Sequence, residues 1–150
     1  MSKNGMKKQP TFHGCFVCGK GNPFGLQVEF HADGDKVYTE FRAEERHVGW
    51  PGFLHGGILY SLLDETVGRA AMMRDMWVMT GRMEVRYYNP VPIGERLTIT
   101  GEVVKERRTA MELKGEARLS DGRLAAQANG LFMKVSDEMR RDVEKVLTWD

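Results

Sequence analysis

One long stretch of helical periodicity, residues 57–74, constrains everything this chain can fold into. Ile58, Leu59, Leu62, Leu63, Val67, Ala70 and Ala71 recur there at spacings of three and four. A helix this apolar needs cover on most sides, and a curved antiparallel sheet wrapped around it supplies that cover. The helix opens on His55-Gly56-Gly57. A helix start presents unpaired N–H groups and the positive end of the macrodipole, so it attracts developing negative charge. Glycine lets another atom approach those groups closely. Two turns further on stand Asp64 and Glu65. Carboxylates in an apolar helix are costly unless paired, hydrated or used. The stretch reads as an oxyanion-type donor and a general base on one element.

Around this helix the period falls to two. Residues 25–32 alternate Leu26, Val28 and Phe30 against polar neighbours, and Asp33-Gly34-Asp35 turns the chain into a second strand over 36–43. A loop over 44–54 carries Gly49, Pro51 and Gly52. Strands are expected over 80–91, 95–105, 109–119 and 124–135, in meander order. Ser136 caps a short amphipathic C-terminal helix that runs to about residue 147. Residues 1–13, rich in lysine at their start, are expected to be a flexible tail before a single α+β domain over 14–150. One sheet on one helix leaves an open edge, so pairing of edge strands in a homo-oligomer is expected.

The net charge of +1 gives no reason to expect nucleic acid or an anionic membrane as partner. No apolar run is long enough to span a bilayer, and the start Met1-Ser2-Lys3-Asn4 lacks a signal-peptide core, so a cytoplasmic location is expected. The two cysteines, Cys15 and Cys18, stand as Cys-x-x-Cys. With His13 they offer three zinc ligands, but no fourth lies nearby in sequence. A redox pair would open a helix, whereas Gly19-Lys20-Gly21-Asn22-Pro23 is turn chemistry. A small buried loop with free thiols is the preferred reading, and no metal or cofactor is expected.

Three segments give the chain a family likeness. They are Cys15-Phe16-Val17-Cys18-Gly19 with Asn22-Pro23-Phe24-Gly25-Leu26, then Pro51-Gly52-Phe53-Leu54-His55-Gly56-Gly57, and Asn89-Pro90-Val91-Pro92-Ile93-Gly94-Glu95. With Asp64 nine residues after His55 and the strand order above, the chain resembles the hotdog-fold acyl-CoA thioesterases, in their phenylacetyl-CoA thioesterase-like branch. The likeness covers roughly residues 14–135, a whole domain of ordinary size. It implies a cofactor-free hydrolase that cleaves an acyl-CoA thioester in a homodimer or homotetramer. A non-catalytic acyl-CoA sensor is the other reading of the same fold.

The likeness also implies roles. Asp64 becomes the base or nucleophile; on a helix of 100° per residue it shares a small, polar stripe with Gly57, Tyr60, Ser61 and Gly68. Glu65 points about 100° away and ranks second. The Gly56 N–H polarises the carbonyl at the helix start it shares with Gly57, and His55 orients the loop or holds substrate. Thr80 matches a Ser/Thr that holds the attacking water and reaches the acid of a neighbouring subunit. Many relatives carry asparagine or another polar residue six positions before the His; here Gly49 stands there. Asn89, Pro90 and the basic turn with Lys105, Arg107 and Arg108 are implied to lie along the coenzyme A nucleotide, whose phosphates favour Arg and Lys. Met72, Met73, Met76, Met79 and Met83 suit core packing or a pliable acyl pocket.

Overall fold

The computed structural model describes residues 6–149. The central helix α1 spans Gly56–Ala70 and tightens into a 3₁₀ turn over Ala71–Arg74. Before it come β1 (Lys7–Lys8), β2 (Thr11–Phe12), β3 (His31–Asp33) and β4 (Lys36–Arg42). After it come β5 (Val78–Tyr87), β6 (Arg96–Glu106), β7 (Ala110–Arg118), β8 (Leu124–Lys134), the short helix α2 (Asp137–Glu144) and β9 (Leu147–Thr148). Seven strands form one antiparallel sheet in the order β1-β3-β4-β6-β7-β8-β5, and β2 pairs with β9 beside it. This is the hotdog fold.

The helix buries Leu59, Leu62, Leu63, Val67 and Ala70 against Val37, Leu97, Ile99, Met111, Leu113 and Phe132 of the sheet. Burying such a side chain stabilises the fold by roughly 1.5–3 kcal/mol. Close contact depends on Gly101 in β6, where a Cβ would sit 2.7 Å from the Thr66 carbonyl oxygen. Gly57, Tyr60, Ser61, Asp64 and Gly68 lie along the stripe that this packing leaves half-buried or exposed. At the C-terminus, Ser136 accepts a hydrogen bond from the Met139 N–H and caps α2.

Three expectations need correction. Residues 1–5 of the expected tail lie outside the described residues, but 7–12 are not loose: β1 pairs with β3, β2 pairs with β9, and Gln9 and Thr11 are buried. Their polar side chains are held by partners, Gln9 donating to the Arg69 carbonyl at 3.3 Å and Thr11 meeting Thr148 at 3.0 Å. Residues 25–30 keep their alternating burial, yet Leu26 and Val28 bond to the carbonyls of Phe16 and Val17 rather than to a ladder. The last four strands are not a simple meander. β5 lies at the sheet edge beside β8, and residues 88–95 carry the chain back to β6, next to β4. That link is pinned along its way by Leu54 N–H to Val91 and Gly94 N–H to Ala43. Proline at 90 and 92 ends β5 at Tyr87, because it cannot donate to a ladder.

Candidate active site

His55 is the N-cap of α1, its extended backbone feeding the first turn. Its Nδ1 accepts the Gly57 N–H at 2.8 Å, and its carbonyl takes the N–H groups of Ile58 and Leu59. The imidazole therefore serves the helix, as a cap does. Gly57 has spent its donor. The Gly56 N–H is left without a hydrogen-bond acceptor among the described residues. An apolar cleft of about 620 Å³, walled by Trp50, Phe53, Tyr87 and Pro90, opens at Gly56. The Tyr87 hydroxyl donates to the Gly56 carbonyl at 2.8 Å and ties the end of β5 to the helix start. At Gly49 a Cβ would lie 2.9 Å from the His55 Cα, so no side chain supplies a second donor from that position.

Asp64 lies two turns along, half-buried on the outer stripe. Thr80 donates its hydroxyl to Asp64 Oδ1 at 2.5 Å. A β-bulge aims that hydroxyl: Thr80 pairs with Phe132 and Arg82 with Leu131, leaving Gly81 as the extra residue. The bond lies within one chain, whereas the family likeness implied a reach to the acid of a neighbouring subunit. A cleft of about 440 Å³ beside this pair is lined by Gly68, Met72, Met76, Met79 and Phe132 among others. Met72 and Met79 face the cleft, Met76 lines it while also packing against the core, and Met73 and Met83 pack against the core, Met73 meeting the Gln9 amide as well.

Glu65 faces another way, although part of it borders the same cleft. Cys15 Sγ donates to its Oε1 at 3.0 Å, and Arg69 Nε donates to its Oε2 at 3.2 Å. Arg69 is itself buried, donates to the Pro10 carbonyl at 2.7 Å and lies 4.2 Å from the centre of the Phe30 ring. Burial pushes the Glu65 carboxyl up to about 7, with Arg69 pulling it only part of the way back. Hydrogen bonding with Cys15 draws the Cys18 thiol down to about 7, and the Cys15 thiol rises in turn. Both oxygens of Glu65 are engaged, so it is a poor base for a substrate in the cleft. The contact joins residues 50 apart, and nothing in local spacing announced it. His13, offered by the sequence as a companion of the cysteines, packs instead over Gly21.

The implied coenzyme A residues fall into two groups. The Asn89 amide donates to the Leu124 carbonyl at 2.7 Å and holds the bend, while Pro90 lines the cleft at Gly56. Lys105 at the end of β6 and Arg107 and Arg108 on the β6–β7 turn are exposed, with Arg107 paired to Glu112 at 2.9 Å. That turn meets the Lys134 end of β8, whereas Asn89 meets its Leu124 end. The length of β8 separates them by about 30 Å. In one chain they do not lie along a single nucleotide. Gly56 and Asp64 divide in the same direction, eight residues and about 12 Å apart along the helix.

The thioesterase superfamily model matches residues 51–126, and this chain belongs to that family. It is 35% identical over 91 residues to acyl-coenzyme A thioesterase THEM4 of Xenopus laevis, covering 58% of this chain and 40% of the relative. It is 31% identical over 98 residues to acyl-coenzyme A thioesterase 13 of Homo sapiens, covering 61% and 68%. The crystal structure of zebra fish thioesterase superfamily member 2 superposes with a TM-score of 0.68 at 28% identity, covering 77% of this chain and 90% of that one. The chain spans about half the length of the first curated relatives it matches. No helix among the described residues is long and apolar enough to cross a membrane.

Proposed function

We propose that this protein hydrolyses acyl-CoA thioesters at a site built from two copies of the chain. One observation carries the reading: the Gly56 N–H without an acceptor and the Thr80-anchored Asp64 carboxylate share one helix but lie about 12 Å apart. A carbonyl held at about 3 Å by the first is out of reach of water activated by the second. A second copy with its α1 antiparallel brings one chain's Gly56 to the other's Asp64. The same two-fold operation brings Asn89 and Pro90 of one chain toward Lys105, Arg107 and Arg108 of the other. The ten-residue edge strand β5, with exposed Met79 and Tyr87, offers the surface for such pairing.

In this reading the Gly56 N–H polarises the thioester carbonyl, and Asp64 takes a proton from a water aligned by Thr80. The hydroxide adds to the carbonyl carbon. The C–S bond then breaks, the carboxylic acid departs, and the proton passes to the coenzyme A sulfur. His55 and Gly57 hold the helix start in shape. No cofactor takes part in these steps. Unpaired thiols at Cys15 and Cys18 suit a reducing, cytoplasmic setting.

Release of free thiol from a panel of acyl-CoA esters by the purified protein tests the reading, with sedimentation to establish the dimer or tetramer. Absence of turnover for every chain length would overturn it. Gly49, which leaves the carbonyl with one identified donor, favours a second reading: an acyl-CoA sensor. Saturable binding of an acyl-CoA without hydrolysis would select that one.

A further inference from the structure

The hydrolytic reading uses nothing on the inner side of α1, yet the chemistry there is concentrated. Cys15 Sγ, Cys18 Sγ and a carboxylate oxygen of Glu65 all lie within 4.8 Å of one another. We propose that these three residues bind a divalent, thiolate-preferring metal ion, zinc in the first instance, and so fasten the loop after β2 to the middle of α1.

Five observations support the site. The spacing fits: a tetrahedral zinc centre with Zn–S of about 2.3 Å and Zn–O of about 2.1 Å has ligand-to-ligand edges of about 3.5–3.8 Å. The present separations reach that geometry by sub-ångström to ångström movements, the Cys15–Glu65 contact opening from 3.0 Å. The loop is already folded as a bidentate clamp. The Cys18 N–H donates to Cys15 Sγ at 3.4 Å and the Gly19 N–H to the Cys15 carbonyl at 2.9 Å. Glycine at 19 is what lets the turn close, since a Cβ there would sit 2.4 Å from the His13 carbonyl oxygen.

Charge balances as well. Two thiolates and one carboxylate carry three negative charges, against two on the metal and one on Arg69. A half-buried site of this kind has no net charge to leave uncompensated. Arg69 also supplies the outer support that metal ligands ordinarily have, gripping the far oxygen of Glu65 while anchored to Pro10. The donor set is soft, which favours zinc over magnesium or calcium. Three protein ligands leave a fourth position for water or an added anion.

The site stands or falls independently of thioester hydrolysis, because its readouts are metal content and absorbance. Protein purified without chelator is expected to hold one zinc per chain by elemental analysis. Metal-depleted protein titrated with Co²⁺ is expected to show thiolate-to-cobalt charge-transfer absorbance and tetrahedral d–d bands. Cys18→Ser should abolish the charge-transfer pattern of a two-thiolate site, and Arg69→Met should weaken binding about 10- to 100-fold. The wild-type titration needs no variant to fold. Absence of zinc with no cobalt signature, binding undiminished in Cys15→Ser and Cys18→Ser, or a Cys15–Cys18 disulfide whose reduced form ignores Co²⁺ would each overturn the proposal.

Discussion

Asp64 and Glu65 are adjacent in sequence, and the two sides of α1 treat them as opposites. On the outer side Asp64 keeps one anchored oxygen, a cleft and a hydroxyl partner from an edge strand. On the inner side Glu65 is engaged at both oxygens, by a thiol and by a buried guanidinium. One hundred degrees of helical rotation separates an acid available for chemistry from one consumed by architecture. Residue type does not assign the base; the neighbours do.

The largest effect expected is at the outer acid. Asp64→Asn keeps size and removes the proton acceptor, so kcat should fall about 10²- to 10⁴-fold with KM little changed. Steady-state kinetics on the preferred ester measures this, and full activity would end the comparison. Glu65→Gln should behave differently. Removing one partner of the buried pair leaves Arg69 uncompensated, at about 3 kcal/mol, or roughly 10 °C in Tm for a chain this size. Its kcat, taken well below the melting transition, should drop far less than that of Asp64→Asn. A dead Glu65→Gln beside an active Asp64→Asn would reverse the assignment.

Smaller effects sharpen the contrast. Thr80→Val deletes a hydrogen bond to a carboxylate, a loss of about 1.5–3 kcal/mol and therefore about 10- to 100-fold in kcat if the bond is needed in the transition state. An unaltered rate would show that Thr80 only closes the bulge. His55→Ala is the mildest. Losing the cap should lower stability by about 1 kcal/mol, seen as a few degrees in Tm. A rate loss with no change in Tm would mean that the imidazole meets substrate instead.

Much of this was legible in the sequence, and the reason is periodicity. The 3.6 and 2.0 repeats report which face of an element is buried, and α1, β6 and β7 fall close to the expected ranges. Periodicity does not report neighbours. Alternation at 80–87 reads the same whether the strand lies beside β6 or, as it does, at the edge beside β8. The helix start was readable because capping is local: His55 and Gly57 are two residues apart. Thr80 was singled out by resemblance, but only the bulge at Gly81 explains why its hydroxyl meets the acid of its own chain. The Cys15–Glu65 contact depends on how the loop folds over the helix, which no local pattern encodes.

Arg69 has a consequence for anyone wishing to shorten this protein. Composition suggests a cut near residue 13, just ahead of the first family-like segment. Such a fragment would lose the Pro10 carbonyl that receives the Arg69 guanidinium and the Gln9 N–H that satisfies Phe30. A charge at the centre of the molecule would then lose its acceptors at Gln9 and Pro10, and water would have to enter to replace them. Residues 9–12 therefore behave as a stopper for the interior, and a trimmed fragment should be less stable than the intact chain.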